Sequence, residues 1–217
     1  LRSAIIGNGD AVSDIVVSAI HPAETLGLLK EDTSMRKIYR LRISKMKDSL
    51  GCFTANIKLK KNAVNLRERP IYVHREGVDI WSYHHSPIDH VLVHCYPEQN
   101  ALDFIAPISY DCFKQWEGTV VGHRGEEYEQ YKAEVLEQCL KLAEIAIPGL
   151  RDAIEEVWTS SPLTWKDYLL SHNGTSYGVC KDCNSPEATL LLPRTPLQGL
   201  YLTGQSIILH GIMGTTI

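Results

Sequence analysis

The stretch Phe53-Thr-Ala-Asn-Ile57-Lys-Leu59-Lys60 alternates apolar and polar residues. Because successive side chains of a strand point to opposite faces, this alternation predicts a strand with one buried face. Further apolar runs predict neighbouring strands at 71–73, 90–96 and 104–110, with Pro and Gly residues between them. Such turn signals between short strands are typical of an antiparallel sheet.

Helical patterns lie on both sides of these predicted strands. The clearest helix is predicted from Glu126 to Ile147, where apolar residues recur at every third or fourth position. A shorter helix is predicted over 150–157. Two more are predicted between Pro22 and Lys47, with a break at Asp32-Thr33-Ser34, where Asp or Ser caps the second helix. Strands and long helices without regular βαβ alternation favour an α+β fold with a mixed, largely antiparallel sheet and covering helices.

The chain begins with a predicted hairpin. Asn8-Gly9 is a favoured type I′ turn pair, and it is expected to join strands at 4–6 and 15–20. The preceding Gly7 does not open a dinucleotide-binding fingerprint, because Val12 stands where its third glycine would be.

Composition limits the classes of protein that the chain can be. Its 217 residues are 44% hydrophobic with a net charge of -4, which is ordinary for a globular protein. No apolar run approaches the roughly 20 residues of a membrane span. The pI of about 6.1 argues against a nucleic-acid partner. Six scattered cysteines without a secretory signal favour reduced thiols and a cytoplasmic location. The chain starts at Leu1 and stops at an unfinished helix, so we expect a piece of a longer protein.

Residues that could bind metal do not form a convincing site in the sequence. His84, His85, His90 and His94 cluster, but His90 and His94 are predicted on a strand, roughly 13 Å apart. We therefore predict no metal site. Cys180-Lys-Asp-Cys183 is the only close cysteine pair, and it leaves a zinc or thiol-redox module as the weakest alternative.

A basic stretch from Arg36 to Lys47 supports a different alternative. It interleaves Arg and Lys with Met35, Ile38, Tyr39 and Met46. Such a helix can rest on an anionic lipid surface, so a non-catalytic lipid-binding or membrane-docking module is the second hypothesis.

The tail, Leu200-Tyr-Leu-Thr-Gly204-Gln205-Ser-Ile-Ile-Leu-His210-Gly211-Ile-Met-Gly214, carries the strongest functional signal. Its glycines follow a predicted strand and precede the start of a helix. Backbone N–H groups at such a place can approach an anionic or carbonyl-bearing ligand closely.

This tail resembles the closing FAD-contacting motif of phytoene desaturase-like flavoproteins, a group of amine oxidase-type flavoproteins that includes carotenoid isomerases and retinol saturases. The retinol saturase-like branch is the most similar, because it carries Gln after Thr-Gly, as at Gln205. Further blocks agree in the family's order: Val16–Pro22, Gly51–Lys60, Ser161–Tyr168 and Gly174–Gly178.

The resemblance implies an FAD-dependent oxidoreductase that transfers hydride between flavin and a carbon of a lipophilic isoprenoid or polyene. Residues 1–22 and 193–217 would be edges of a truncated FAD-binding domain, and 23–192 would be the substrate domain. The ADP-binding fingerprint is not present in these residues, so we expect the chain alone to bind FAD weakly or not at all and to be inactive. The substrate class leaves open a peripheral membrane contact.

The resemblance also implies roles for residues of the tail. Gly204 and Gln205 would approach the ribityl-pyrophosphate part of FAD, and backbone groups of 211–214 would lie near the isoalloxazine ring. The implied cofactor-binding residues are Gly204, Gln205, Gly211, Ile212, Met213 and Gly214. Tyr177 and His210 are candidate pocket residues, and the alternative interpretation is that each has a structural role. No catalytic residue is assigned.

Overall fold

The computed structural model describes residues 3–6, 9–30, 35–78 and 88–216. The strands are β1 (Ser3–Ile6), β2 (Gly9–Val12), β3 (Val16–Ser18), β4 (Gly51–Leu59), β5 (Ile71–His74), β6 (His90–Tyr96), β7 (Ala101–Ile108), β8 (Ile154–Ser160) and β9 (Leu200–Leu202). The helices are α1 (Pro22–Gly27), α2 (Lys37–Ser44), α3 (Glu126–Ala146), α4 (Leu150–Ala153), α5 (Pro162–Leu169), α6 (Pro186–Thr189) and α7 (Gly211–Thr216).

The chain folds into two compact units. The sheet unit is Leu50–Leu169, and the split unit combines Leu1–Ser49 with Leu170–Ile217. The assignment of 1–22 and 193–217 to an FAD-binding domain and of 23–192 to a substrate domain stays a prediction.

The sheet unit is built on a five-stranded sheet in the order β5-β6-β7-β4-β8, with every neighbouring pair antiparallel. β4 and β7 pair from Gly51↔Ile108 to Lys58↔Ala101. Phe53, Ala55 and Ile57 are buried on the core side, as the alternation of this stretch predicts. The α+β fold with an antiparallel sheet and covering helices is confirmed.

Helix α3 covers this sheet and confirms the predicted long helix. Its apolar stripe includes Tyr128, Val135, Cys139 and Leu142, all of which are buried. The helix packs against β5 and β6. Because burial disfavours the thiolate, the pKa of Cys139 rises to about 12, as expected of a structural thiol.

The predicted helix over 150–157 is wrong beyond its first turn. Helix α4 ends at Ala153, whose carbonyl accepts a bond from the Lys60 N–H at 2.8 Å. The following residues form β8, which pairs with β4 from Thr54↔Ser160 to Lys58↔Glu156. Long-range hydrogen bonding to the open edge of β4 outweighs the local helix propensity of this segment.

The N-terminal hairpin exists, but its predicted second strand is wrong. β1 pairs with β2; of the predicted turn pair, Gly9 is the first residue of β2 and Asn8 lies outside the described residues. The apolar run at 15–20 instead contains β3, which pairs in parallel with β9 from Val16↔Leu200 to Ser18↔Leu202. A strand that pairs in parallel with a distant partner cannot be distinguished from a hairpin strand by its own residues.

Two helices follow β3 in the split unit, as predicted. The predicted cap of the second helix is wrong, because α2 begins after Arg36, and Asp32 and Ser34 lie outside the described residues. The apolar core of this unit consists of Leu26, Met35, Ile43, Leu191, Leu197, Leu200, Leu202 and Ile207. In the described part of the chain, no helix has both the length and the apolar character needed to cross a membrane.

Candidate functional site

The carboxyl ends of β3 and β9 meet at one edge of the split unit, because the two strands are parallel. Just beyond them, the Thr203 N–H donates to the Ser18 carbonyl at 2.9 Å. Gly204 follows with a φ of +98°, a backbone conformation that L side chains rarely adopt. Ligands of parallel αβ folds typically bind beyond the carboxyl ends of strands, so this edge is the candidate site.

The structure places the predicted cofactor residues along one segment at this edge. We call residues 203–211 the tail turn, and its last residue, Gly211, begins α7. Gly211 has a φ of +70° and open space where a Cβ would lie, so its backbone is accessible. The Ile212 side chain is 86% exposed, and the Met213 side chain lies outside the described residues.

Gly214 has a packing explanation that does not involve a ligand. A Cβ at this position would lie 2.5 Å from Leu209 Cβ, which is too close for real atoms. Gly214 therefore allows α7 to pack on the tail turn. The cofactor role of all six predicted residues stays a prediction.

A second segment packs against the tail turn. We call residues 174–178 the glycine loop. The Gln205 Nε2 group donates to the Ser176 carbonyl at 3.0 Å. A side chain on Gly178 would overlap Ser206 Oγ, so the close approach of the two segments requires glycine there. Two of the sequence blocks that carry the resemblance are thus brought together.

Tyr177 and His210 are also brought together at this place. His210 Nδ1 lies 2.7 Å from the Tyr177 carbonyl oxygen. Because a carbonyl can only accept, Nδ1 carries the proton and donates. The two rings stand edge to face with their centroids 6.0 Å apart. Their predicted role in a pocket stays a prediction, and the hydrogen bond gives His210 a structural role.

Below the glycine loop lies a buried cluster that the sequence analysis missed. Asp48 is in contact with two imidazoles: His172 Nδ1 lies 2.6 Å from its Oδ2 and His21 Nε2 lies 3.0 Å from its Oδ1. Asn173 Nδ2 also donates to Oδ2 at 2.9 Å. The His21 and His172 rings stack with their centroids 4.8 Å apart. The Asp48 and His21 side chains are only 8% and 6% exposed.

This cluster anchors the glycine loop. Asp48 forms a β-bridge with Val179, and the next residue, Ser49, bonds the Thr175 hydroxyl at 2.6 Å. The Ser49 N–H donates to the Gly178 carbonyl at 2.8 Å. Burial by itself raises the pKa of Asp48, but the hydrogen bonding and electrostatic attraction of His172 and His21 together outweigh it and lower that pKa to about 2. The carboxylate is therefore ionised at neutral pH.

The same three side chains could in principle hold a metal ion, since their donor atoms all lie within 4.8 Å of one another. The hydrogen bond that His21 Nδ1 accepts argues against this use. Its Nδ1 accepts the Ala23 N–H at the start of α1, so the proton of the neutral ring is on Nε2, the atom that faces Asp48. Metal-bound histidines instead donate through their second nitrogen. The cluster is best described as a hydrogen-bonded anchor.

The histidines that were considered from sequence are separate from this cluster. His90 and His94 lie on β6 as predicted, and His90 pairs with His74 across the strands. Burial, together with the nearby His74, lowers the pKa of His90. His84 and His85 lie outside the described residues. Cys180 and Cys183 are exposed free thiols.

Comparison with known proteins identifies the relatives of the chain. No protein-family model matches it. It is 32% identical to the all-trans-retinol 13,14-reductase of Macaca fascicularis over 122 residues, which are 55% of this chain and 20% of the relative. The corresponding enzymes of Rattus norvegicus and Homo sapiens are 34% and 30% identical over the same number of residues. The match spans about a fifth of the length of these curated relatives.

These matches confirm the resemblance drawn from the sequence. The chain is homologous, over about 55% of its length, to proteins named all-trans-retinol 13,14-reductase.

Proposed function

We propose that the chain is part of an FAD-dependent oxidoreductase that transfers hydride between flavin and a carbon–carbon bond of a retinoid or related polyene. The observation that carries the proposal is the meeting of the tail turn and the glycine loop at the carboxyl ends of β3 and β9. The names of the relatives favour reduction over desaturation or isomerisation.

The residues at this edge are suited to a dinucleotide cofactor. Gly204 and Gly211 have left-handed backbones, and the open space beside Gly211 leaves room for close approach to a ligand. The Gln205 side chain is engaged with the Ser176 carbonyl, so its backbone is the part that would face FAD. We propose Gly204 and Gln205 for the ribityl-pyrophosphate part and the backbone of 211–214 for the isoalloxazine ring.

Bound flavin would supply or accept the hydride, and the chain's own residues would orient the reactants and exclude water. Exposed apolar side chains suited to a polyene lie at the tail turn and α7, where Ile208, Leu209 and Ile212 are 48%, 51% and 86% exposed. The 217 residues contain no G-x-G-x-x-G sequence, so we expect the isolated chain to be inactive and to bind FAD weakly or not at all.

The test uses the full-length protein, loaded with FAD and supplied with a chemical reductant of flavins. All-trans-retinol is added, and the product is analysed by mass spectrometry. We expect a product heavier by two hydrogen atoms, and we expect this product to be lost in a Gly204→Val variant. A flavin-loaded protein that leaves several retinoids and carotenoids unchanged would contradict the proposed reaction.

A second candidate, a membrane-docking module, is supported by one observation. Ile38 and Leu41 on α2 are 69% and 48% exposed within the basic stretch. However, Arg42 donates to the carbonyls of Glu187 and Leu190, so part of the basic charge is used within the unit. Sedimentation with anionic vesicles that an Ile38→Ser variant abolishes would support docking. A cytoplasmic location with peripheral membrane association stays a prediction.

A further inference from the structure

Lys181 holds the tail turn from inside the split unit. Its Nζ donates to the carbonyl oxygens of Ser206 and Ile207, each at 2.8 Å, and to that of Thr189 at 3.0 Å. An ammonium group has three protons, so these three acceptors use its full donor capacity.

The backbone around Lys181 is fixed on both sides. The Cys180 N–H donates to the Lys47 carbonyl at 2.8 Å, and the Asp182 N–H donates to Thr189 Oγ1 at 3.1 Å. The Lys181 side chain therefore extends from a constrained segment, and its ammonium group can hold the three carbonyl groups in place. Burial disfavours its charged form and lowers the pKa of Lys181 to about 8.

The bonds to Ser206 and Ile207 orient two consecutive peptide groups. Because a trans peptide is planar, fixing a carbonyl also fixes the direction of the N–H group that follows it. The same Ile207 carbonyl accepts the Leu191 N–H at 3.1 Å, and the Ile207 N–H donates to the Gly204 carbonyl at 3.3 Å. The conformation of Gly204 is thus connected through one turn to the ammonium of Lys181.

We propose that Lys181 is a positioning residue that sets the conformation of the tail turn and thereby the affinity of the protein for FAD, without touching the cofactor. This inference rests on the proposed function. The role that this inference gives to the Cys180–Cys183 segment depends on Lys181, which lies between the two cysteines, and not on either thiol.

The test compares Lys181→Met with Lys45→Met in the full-length protein. Lys45 is an exposed lysine that lines, together with Lys181, a cleft of about 710 Å³, so it controls for the loss of one charge. FAD affinity of the apoprotein is measured by quenching of flavin fluorescence. We expect Lys181→Met to weaken binding at least tenfold and Lys45→Met to leave it within twofold.

Two further readouts separate positioning from general destabilisation. Amide hydrogen exchange without FAD is expected to accelerate in peptides covering 203–211 for Lys181→Met, with peptides from 50–169 unchanged. In wild type, FAD affinity is expected to fall above pH 8 as the ammonium loses a proton. In Lys181→Arg it is expected to stay constant there, because guanidinium keeps its charge.

The outcomes distinguish this inference from the proposed function. If wild type binds FAD and Lys181→Met binds it equally well, Lys181 has no positioning role and the flavoprotein proposal stands. If affinity in wild type does not change across pH 8, the role of the ammonium is likewise refuted, even where the Met variant fails to fold. If wild type binds no FAD at all, the proposed function fails and the inference fails with it.

Discussion

Replacing Asp48 with Asn tests whether the His21–Asp48–His172 cluster anchors the glycine loop. The substitution keeps the size of the side chain and removes its charge. The pKa of Asp48 falls from its ordinary value of 3.8 to about 2 in the folded protein. At about 1.4 kcal/mol per pKa unit, and after a discount for partial solvent screening, the ionised carboxylate contributes about 2 kcal/mol.

Amide hydrogen exchange of peptides that cover 172–179 is the suitable assay. A loss of about 2 kcal/mol corresponds to roughly a 30-fold drop in protection. Asp152→Asn, at an exposed position on α4, is the control and should change protection by less than about 0.5 kcal/mol. Tryptophan fluorescence provides a separate control for the sheet unit, because all four tryptophans of the chain lie between residues 50 and 169.

The pH dependence has a defined sign. Since the folded pKa of Asp48 lies below its unfolded value, its stabilisation is present above about pH 4 and is lost as the pH falls towards 2. The Asp48→Asn variant should lack this pH-dependent stabilisation. Equal protection of 172–179 in wild type and Asp48→Asn would refute the anchor. A drop in protection when EDTA is added to wild type would show instead that the cluster holds a metal ion.

The remaining predictions concern three other positions. Gly204→Ala should weaken FAD binding, and it should cost about 1–2 kcal/mol of stability because the backbone of Gly204 is left-handed. Gly77 has a similar φ and open surroundings, so the control Gly77→Ala should cost stability and leave FAD binding unchanged. Flavin titration measures the binding, and urea unfolding measures the stability. Arg151→Lys should lower the free energy of unfolding by about 1 kcal/mol, because a lysine cannot reproduce the hydrogen bonds of the guanidinium to two glutamates of α3. Urea unfolding followed by tryptophan fluorescence measures this loss. The pKa of Lys181 is lower in the folded protein than in the unfolded chain, so wild type should gain stability relative to Lys181→Met as the pH rises from about 8 to 10.5. Thermal unfolding of both proteins across that range measures this gain. A constant difference in stability between the two proteins would contradict the prediction.

The sheet unit could largely be predicted from local patterns. The alternation at 53–60 and the stripe of α3 each carry enough information to identify an element and its buried face. The segment 154–160 shows the limit of this approach. Its residues favour a helix locally, and only the free edge of β4, more than 90 positions earlier in the chain, makes it a strand.

The candidate site was located from the resemblance more than from physical patterns. Glycines after a strand suggested a ligand at the tail, but nothing in the spacing of Gln205 and Ser176 indicates that their segments touch. The cluster of His21, Asp48 and His172 gave no signal, because its members are spread over 151 positions and share no motif. Contacts of this kind depend on the tertiary fold alone.

The proposed function requires that FAD is bound at the tail turn, and one measurement tests this directly. The full-length protein is purified, denatured, and analysed for released flavin, with Gly204→Val prepared in parallel. We predict equimolar FAD in wild type and a strongly reduced amount in the variant. A colourless wild type that takes up no added FAD would contradict the proposed function.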